Sequence, residues 1–245
     1  MSDNKKTNKC DKVDTDQTAD FNSRRSFLKL GGAGVAALAL GGVGSVSKTM
    51  AAGNSAAVVQ QQTINLGTGD IGIGNFAYLL EQLEADFYTR VVANGFFAGS
   101  TAEERQILTD LRDHEIIHRE FFRAFLGPNA IPTIPAFNFS LVNFNSRDSV
   151  LTISQILEDT GVSAYNGAAQ AIQSTAILEI AGKIVSVEAR HAAAIRDLRI
   201  PRNGFFAPDP EDFANDPLTV LTLAAPFLPP NITINSSGLP RIIVV

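Results

Sequence analysis

A chain of 245 residues with 45% hydrophobic content has material for one sizeable core. Eight of its 20 basic and five of its 25 acidic residues fall in residues 1–50, which leaves 12 basic against 20 acidic residues and Lys183 as the only lysine beyond. An acidic body with no basic cluster argues against nucleic acid and suits a protein that meets small cations, and with Cys10 the only cysteine, no disulfide or thiol chemistry is expected in the body.

Residues 1–50 are expected to be a targeting signal. Ser23-Arg24-Arg25-Ser26-Phe27-Leu28-Lys29 has the twin-arginine pattern, and a glycine-diluted apolar run follows from Leu30 to Val46. That run is short and glycine-rich for a membrane span, so the signal is read as cleaved, somewhere in 47–57. The alternative is an uncleaved anchor. Twin-arginine export would place the mature protein in the periplasm or outside the cell, free of the membrane, with the export machinery as a partner. The route carries folded proteins and suits one that takes up metal in the cytoplasm.

Residues 51–72 are small, polar and glycine-rich and read as a linker. A first helix is expected from about Ile73 to Asn94, apolar all round and therefore deeply packed. It carries Glu81, Glu84 and Tyr88. Thr101 with Glu104 forms a capping box for a second helix, which stops at Gly127-Pro128. Residues 127–147 contain three prolines and no helical period, a length suited to a crossover between two helical hairpins. A third helix runs from about Asp148 to Gln173, interrupted or kinked near Gly161 or Asn166-Gly167. A fourth covers about Thr175 to Leu198 and is ended by Pro201. The body, residues 73–199, is thus an all-α four-helix bundle with a long crossover between its second and third helices. Residues 200–245 form a proline-rich, irregular extension, read as an arm on the bundle or on a neighbour.

One ligand-like pattern occurs twice, in the same order. Glu81-x6-Tyr88 precedes Glu115-x-x-His118, and Glu158-x6-Tyr165 precedes Glu188-x-x-His191. A Glu and a His three apart leave one helix face together. A single such pair is usually a solvated face, but here both fall in core stripes. In the second helix the stripe is Leu108, Leu111, Glu115, His118, Phe122 and Phe125; in the fourth it is Ile177, Ala181, Ile184, Glu188, His191, Ile195 and Leu198. Ionised carboxylates at core positions are costly unless paired or bound to metal. Four carboxylates and two histidines from four helices make a site for two metal ions, iron or manganese. Glu84 can also face the site as an extra ligand or a supporting carboxylate; its counterpart in the second copy is Gly161. Tyr88 and Tyr165 should face the bundle and hydrogen-bond ligand carboxylates, the alternative being simple core packing. His114 flanks the stripe and is read as a supporting or surface residue.

Glu188-Ala-Arg-His-Ala-Ala-Ala-Ile-Arg196, Gly161-Val-Ser-Ala-Tyr-Asn-Gly-Ala-Ala169 and Leu80-Glu-Gln-Leu-Glu-Ala-Asp-Phe-Tyr88 resemble the ferritin-like domain family over roughly residues 73–199. The similarity is to the branch holding secreted bacterial and desiccation-related proteins, and more distantly to rubrerythrin and manganese catalase. The resemblance implies that Glu81, Glu115, His118, Glu158, Glu188 and His191 ligate metal, with Glu115 and Glu188 as bridges. The chain departs from rubrerythrin in lacking a cysteine-ligated iron centre, and so lacks a built-in electron donor. The leading expectation is an exported di-metal oxidoreductase acting on dioxygen, peroxide or ferrous iron in oxidative or desiccation stress. The alternatives are a metal store without turnover and a structural stress protein stapled by its metal. A homo-oligomer is left open.

Overall fold

The computed structural model describes residues 60–202 and 205–242. The twin-arginine leader, its cleavage region and the first part of the expected linker lie outside those residues. Four long helices dominate: α1 (Gly69–Val92), α2 (Ala102–Leu126), α3 (Arg147–Ala169) and α4 (Thr175–Arg199). A single helical turn, Gly95–Gly99, joins α1 to α2, and a short helix α5 (Pro217–Ala224) lies in the C-terminal extension. Two four-residue strands, β1 (Gln62–Asn65) and β2 (Ile232–Asn235), pair in parallel with Gln62 opposite Ile232 and Asn65 opposite Asn235.

Local chemistry sets the helix ends. Thr101 and Glu104 make the reciprocal capping box of α2, and Ser146 and Ser174 accept from Ser149 N and Ile177 N to cap α3 and α4. Gly127, at φ +52°, terminates α2 in a conformation that favours glycine. Helix α1 packs along α2 and α3 along α4, and the two hairpins meet through α1 against α3 and α2 against α4. The fold class is therefore the four-helix bundle expected from the sequence, with the 127–146 connection as its crossover.

That crossover has no regular ladder for its amides, and α1 supplies acceptors instead. Asn75 Oδ1 accepts from Ile131 N at 2.8 Å, Gln82 Oε1 from Ile134 N at 2.7 Å and Asp86 Oδ2 from Phe137 N at 3.2 Å. Buried amides without partners are costly, so these side chains hold the crossover on the helix. At the far end, Arg147 donates to Glu104 Oε1 and to Leu198 O, both at 2.5 Å, joining the starts of α2 and α3 to the end of α4.

Three expectations change. The first helix begins at Gly69 rather than Ile73, and β1 lies within the residues read as a linker. Helix α3 runs unbroken through Gly161 and Asn166-Gly167. Its glycines serve close approach rather than a break: a Cβ on Gly167 would lie 1.8 Å from Asn215 O in the C-terminal extension. Phe125 and Ile177, read as core, lie at the bundle's end, where Phe125 is exposed and Ile177 half-buried.

A buried carboxylate and histidine cluster as candidate metal centre

All six residues of the repeated pattern are buried, and they come from four different helices. Glu81 projects from α1, Glu115 and His118 from α2, Glu158 from α3, and Glu188 and His191 from α4. Each sits at a position where helix period turns it inward, so the 3.6-residue geometry converges them at mid-bundle.

The contacts separate into two quartets. His118 Nδ1 lies 2.9 Å from Glu188 Oε1 and 3.5 Å from both Glu81 Oε2 and Glu115 Oε2. His191 Nδ1 lies 2.9 Å from Glu115 Oε1 and 3.4 Å from both Glu158 Oε2 and Glu188 Oε2. Each quartet could hold a metal ion. Glu115 and Glu188 give one oxygen to each quartet, while Glu81 and Glu158 belong to one each. The second oxygens of those two are taken: Tyr165 donates its hydroxyl to Glu81 Oε1, and Tyr88 donates to Glu158 Oε1 at 2.5 Å. The tyrosine of each copy thus serves the glutamate of the other.

Ion-pair distances alone would suit an ordinary salt-bridge network. The hydrogen-bond geometry does not. Among the described residues, ten buried side-chain N and O atoms lack a hydrogen-bond partner, and eight of them are the quartet atoms. Each Nδ1 lies within 3.5 Å of three carboxylates without hydrogen-bond geometry to any of them. Natural interiors hold few unsatisfied groups, and eight in one place are compatible with a bound cation. Ligand atoms about 2.1 Å from a common ion lie about 3.0–3.4 Å apart, close to the spacing seen. The donor set fits a hard or borderline divalent cation.

The comparisons agree with the fold. The profile of the ferritin-like domain matches residues 69–200. The chain belongs to the ferritin-like domain family. A second profile, for the twin-arginine translocation signal, matches residues 22–41, so this ferritin-like protein carries an export signal and is destined for the periplasm or the exterior. Among the described residues, no helix is long and apolar enough to cross a membrane. Comparison with curated proteins finds no match.

Electrostatics in the ferritin-like core follow from burial and crowding. Burial, then the Glu188 carboxylate, pushes Glu115 well up; burial also raises Glu158. Burial alone would lower the pKa of His118, but Glu115, Glu188 and Glu81 outweigh it and push it up to about 12; His191 is raised in the same way, Glu158 leading the carboxylates. Burial opposes ionisation of Glu188, yet the two imidazoles bring it down to about 2. Glu115 and Glu188 occupy equivalent places and shift oppositely, so they titrate as one system. The direction that holds for the whole is protonated imidazoles and partly neutralised carboxylates when no cation is present. Both phenols stay protonated: burial, then Glu158, raises Tyr88, and burial, then Glu81, raises Tyr165.

Glu84 joins neither quartet. It is buried with its Oε1 3.3 Å from where a Cβ on Gly161 would sit, so the glycine at the symmetry-related position makes room for this carboxyl. Burial, then Glu115, raises its pKa well above the usual range. His114 was read only as flanking the stripe; it contacts His191, and the signal for that was its place one residue before Glu115. Near the end of the bundle lies an apolar cavity of about 30 Å³, lined by Phe76, Leu80, Phe121, Phe122, Tyr165 and Ala181 among others.

Proposed function

We propose that this exported ferritin-like protein binds two metal ions, iron or manganese, and uses them in redox chemistry on dioxygen, peroxide or ferrous iron. The observation that carries the reading is the division of eight unpartnered buried atoms into two quartets sharing Glu115 and Glu188. In this reading Glu81, Glu115, Glu188 and His118 hold one ion, and Glu158, Glu115, Glu188 and His191 the other. Glu115 and Glu188 are the bridges because both oxygens of each are free, whereas Glu81 and Glu158 each have one oxygen engaged by a tyrosine. Metal ions held by these residues would supply one-electron steps and Lewis-acid polarisation of an oxygen-containing substrate.

The chain's own residues do the rest. The phenols of Tyr88 and Tyr165 keep their protons and fix the orientation of Glu158 and Glu81, as outer partners of ligands commonly do. Glu84 places a buried carboxyl beside the cluster, outside both quartets, with its pKa raised by burial first and Glu115 next when no cation is bound. The apolar cavity holds roughly two water-sized volumes, since one water takes about 10–15 Å³.

Loading metal-free protein with iron(II) or manganese(II) is expected to give two ions per chain. The loaded protein should consume peroxide or dioxygen, or oxidise excess ferrous iron, and the metal-free protein should not. Two bound ions with a large gain in melting temperature and no turnover of any of the three would replace this reading by a structural or storage role.

A further inference from the structure

The two quartets are alike inside the bundle and unlike at its surface. His191 Nε2, the ring nitrogen turned away from the cluster, lies 2.9 Å from Nδ1 of His114. The ring planes differ by only 12° with centroids 5.1 Å apart, so the rings meet through their nitrogens at hydrogen-bond rather than van der Waals distance. His114 is exposed, while His191 is buried. Among the described residues no side chain makes the matching bond to His118. The sequence explains why: Glu115 and His118 recur 73 positions on as Glu188 and His191, and the residue 73 positions after His114 is Val187, which cannot accept a proton.

We propose that His114 is a positioning residue for His191, and that it makes the His191 quartet the tighter of two inequivalent metal positions. The inference rests on the di-metal reading above. To ligate through Nδ1, His191 must carry its proton on Nε2, and it then donates to His114 Nδ1. Engaging that N–H fixes the tautomer and ring orientation and makes the imidazole a stronger donor. His118 has no such side-chain partner, so its ion would be held by the same number of protein atoms with a less firmly oriented imidazole. The His191–His114 pair is also a continuous hydrogen-bonded path from the cluster to the surface.

Calorimetric titration of the metal-free exported protein with manganese(II), with electron paramagnetic resonance at one and two equivalents, tests this. The wild type should bind two ions in resolvable steps. His114→Ala should weaken the tighter step by about 10–100-fold, the usual cost of losing such a partner, and leave the other unchanged. The one-equivalent spectrum should change with it. His114→Gln, whose amide oxygen can still accept, should recover part of the loss. Val187→His, which builds the missing partner, should tighten the weaker step. His114→Ala changing neither step, or both alike, would overturn the inference and leave the di-metal reading standing. Failure of the wild type to bind either manganese(II) or iron(II) would overturn both.

Discussion

Glu115 is the residue on which the metal reading can be tested most directly. It is fully buried, gives one oxygen to each quartet and has no hydrogen-bond partner for either. Its carboxyl is pushed towards the neutral form by burial first and by Glu188 second. Glutamine has nearly the shape of a neutral glutamic acid, so Glu115→Gln should change the stability of metal-free protein little, within roughly 1 kcal/mol. The loaded protein should behave differently. A ligand at 100 times its Kd adds about 2.7 kcal/mol to stability, and a bridge that no longer ligates both ions should lose most of that for the second ion. Manganese(II) should therefore raise the melting temperature of the variant by clearly less than that of the wild type, the contribution of the second ion being lost. Equal destabilisation of both forms would mean that Glu115 belongs to an ordinary buried ion network.

At the scale of helices, the contact of Glu104 with Arg147 ties the two hairpins together. Glu104 is buried, caps α2 by accepting from Thr101 N at 3.0 Å and accepts from Arg147 Nε at 2.5 Å. Burial works against its ionisation, but the Thr101 amide and the Arg147 guanidinium outweigh it and hold its pKa below the usual carboxylate range. A depressed folded pKa gives stability that is present above the unfolded value, about 4.3, and is lost as pH falls through the folded value. Glu104→Gln should cost roughly 1 kcal/mol at neutral pH, discounted for the half-exposed arginine, and lower the melting temperature by about 2–4 °C. The two proteins should converge as pH falls below about 4. A gap that persists into acid would assign the loss to packing. The capping half of this contact was legible, because Thr101-x-x-Glu104 is a local pattern; the Arg147 half was not, because the crossover separates the partners in sequence. The α3 glycines show the same limit. Glycine in a helical pattern reads as a break, and only the structure shows Glu84 and Asn215 filling the space that Gly161 and Gly167 leave open.

In the whole molecule, what repeated in sequence was legible and what closed over distance was not. The doubled Glu-x-x-His pattern pointed to four helices and six inward residues, because buried charge is costly enough to mark its own position. The β1–β2 pair joins Gln62 to Ile232 through four residues a side, too short and too remote for any local pattern to announce. The N-terminal signal is local again. Arg24 and Arg25 lie inside the matched region, residues 22–41. Replacing both by lysine keeps the charge and removes the planar, forked guanidinium groups, so the change isolates recognition from electrostatics. The precursor of Arg24→Lys/Arg25→Lys should stay in the cytoplasm, as followed by fractionation and immunoblotting against the wild type. Normal export of that variant would assign its targeting to another signal. The retained precursor carries a second test, because the twin-arginine route moves folded proteins and the candidate ligands lie in the core of the fold. Metal analysis of that cytoplasmic pool should find it already loaded with the same metal as exported wild type. A folded but metal-free precursor would show instead that the bundle takes up its ions after export, with the exposed His114 end of the cluster as the side that meets solvent.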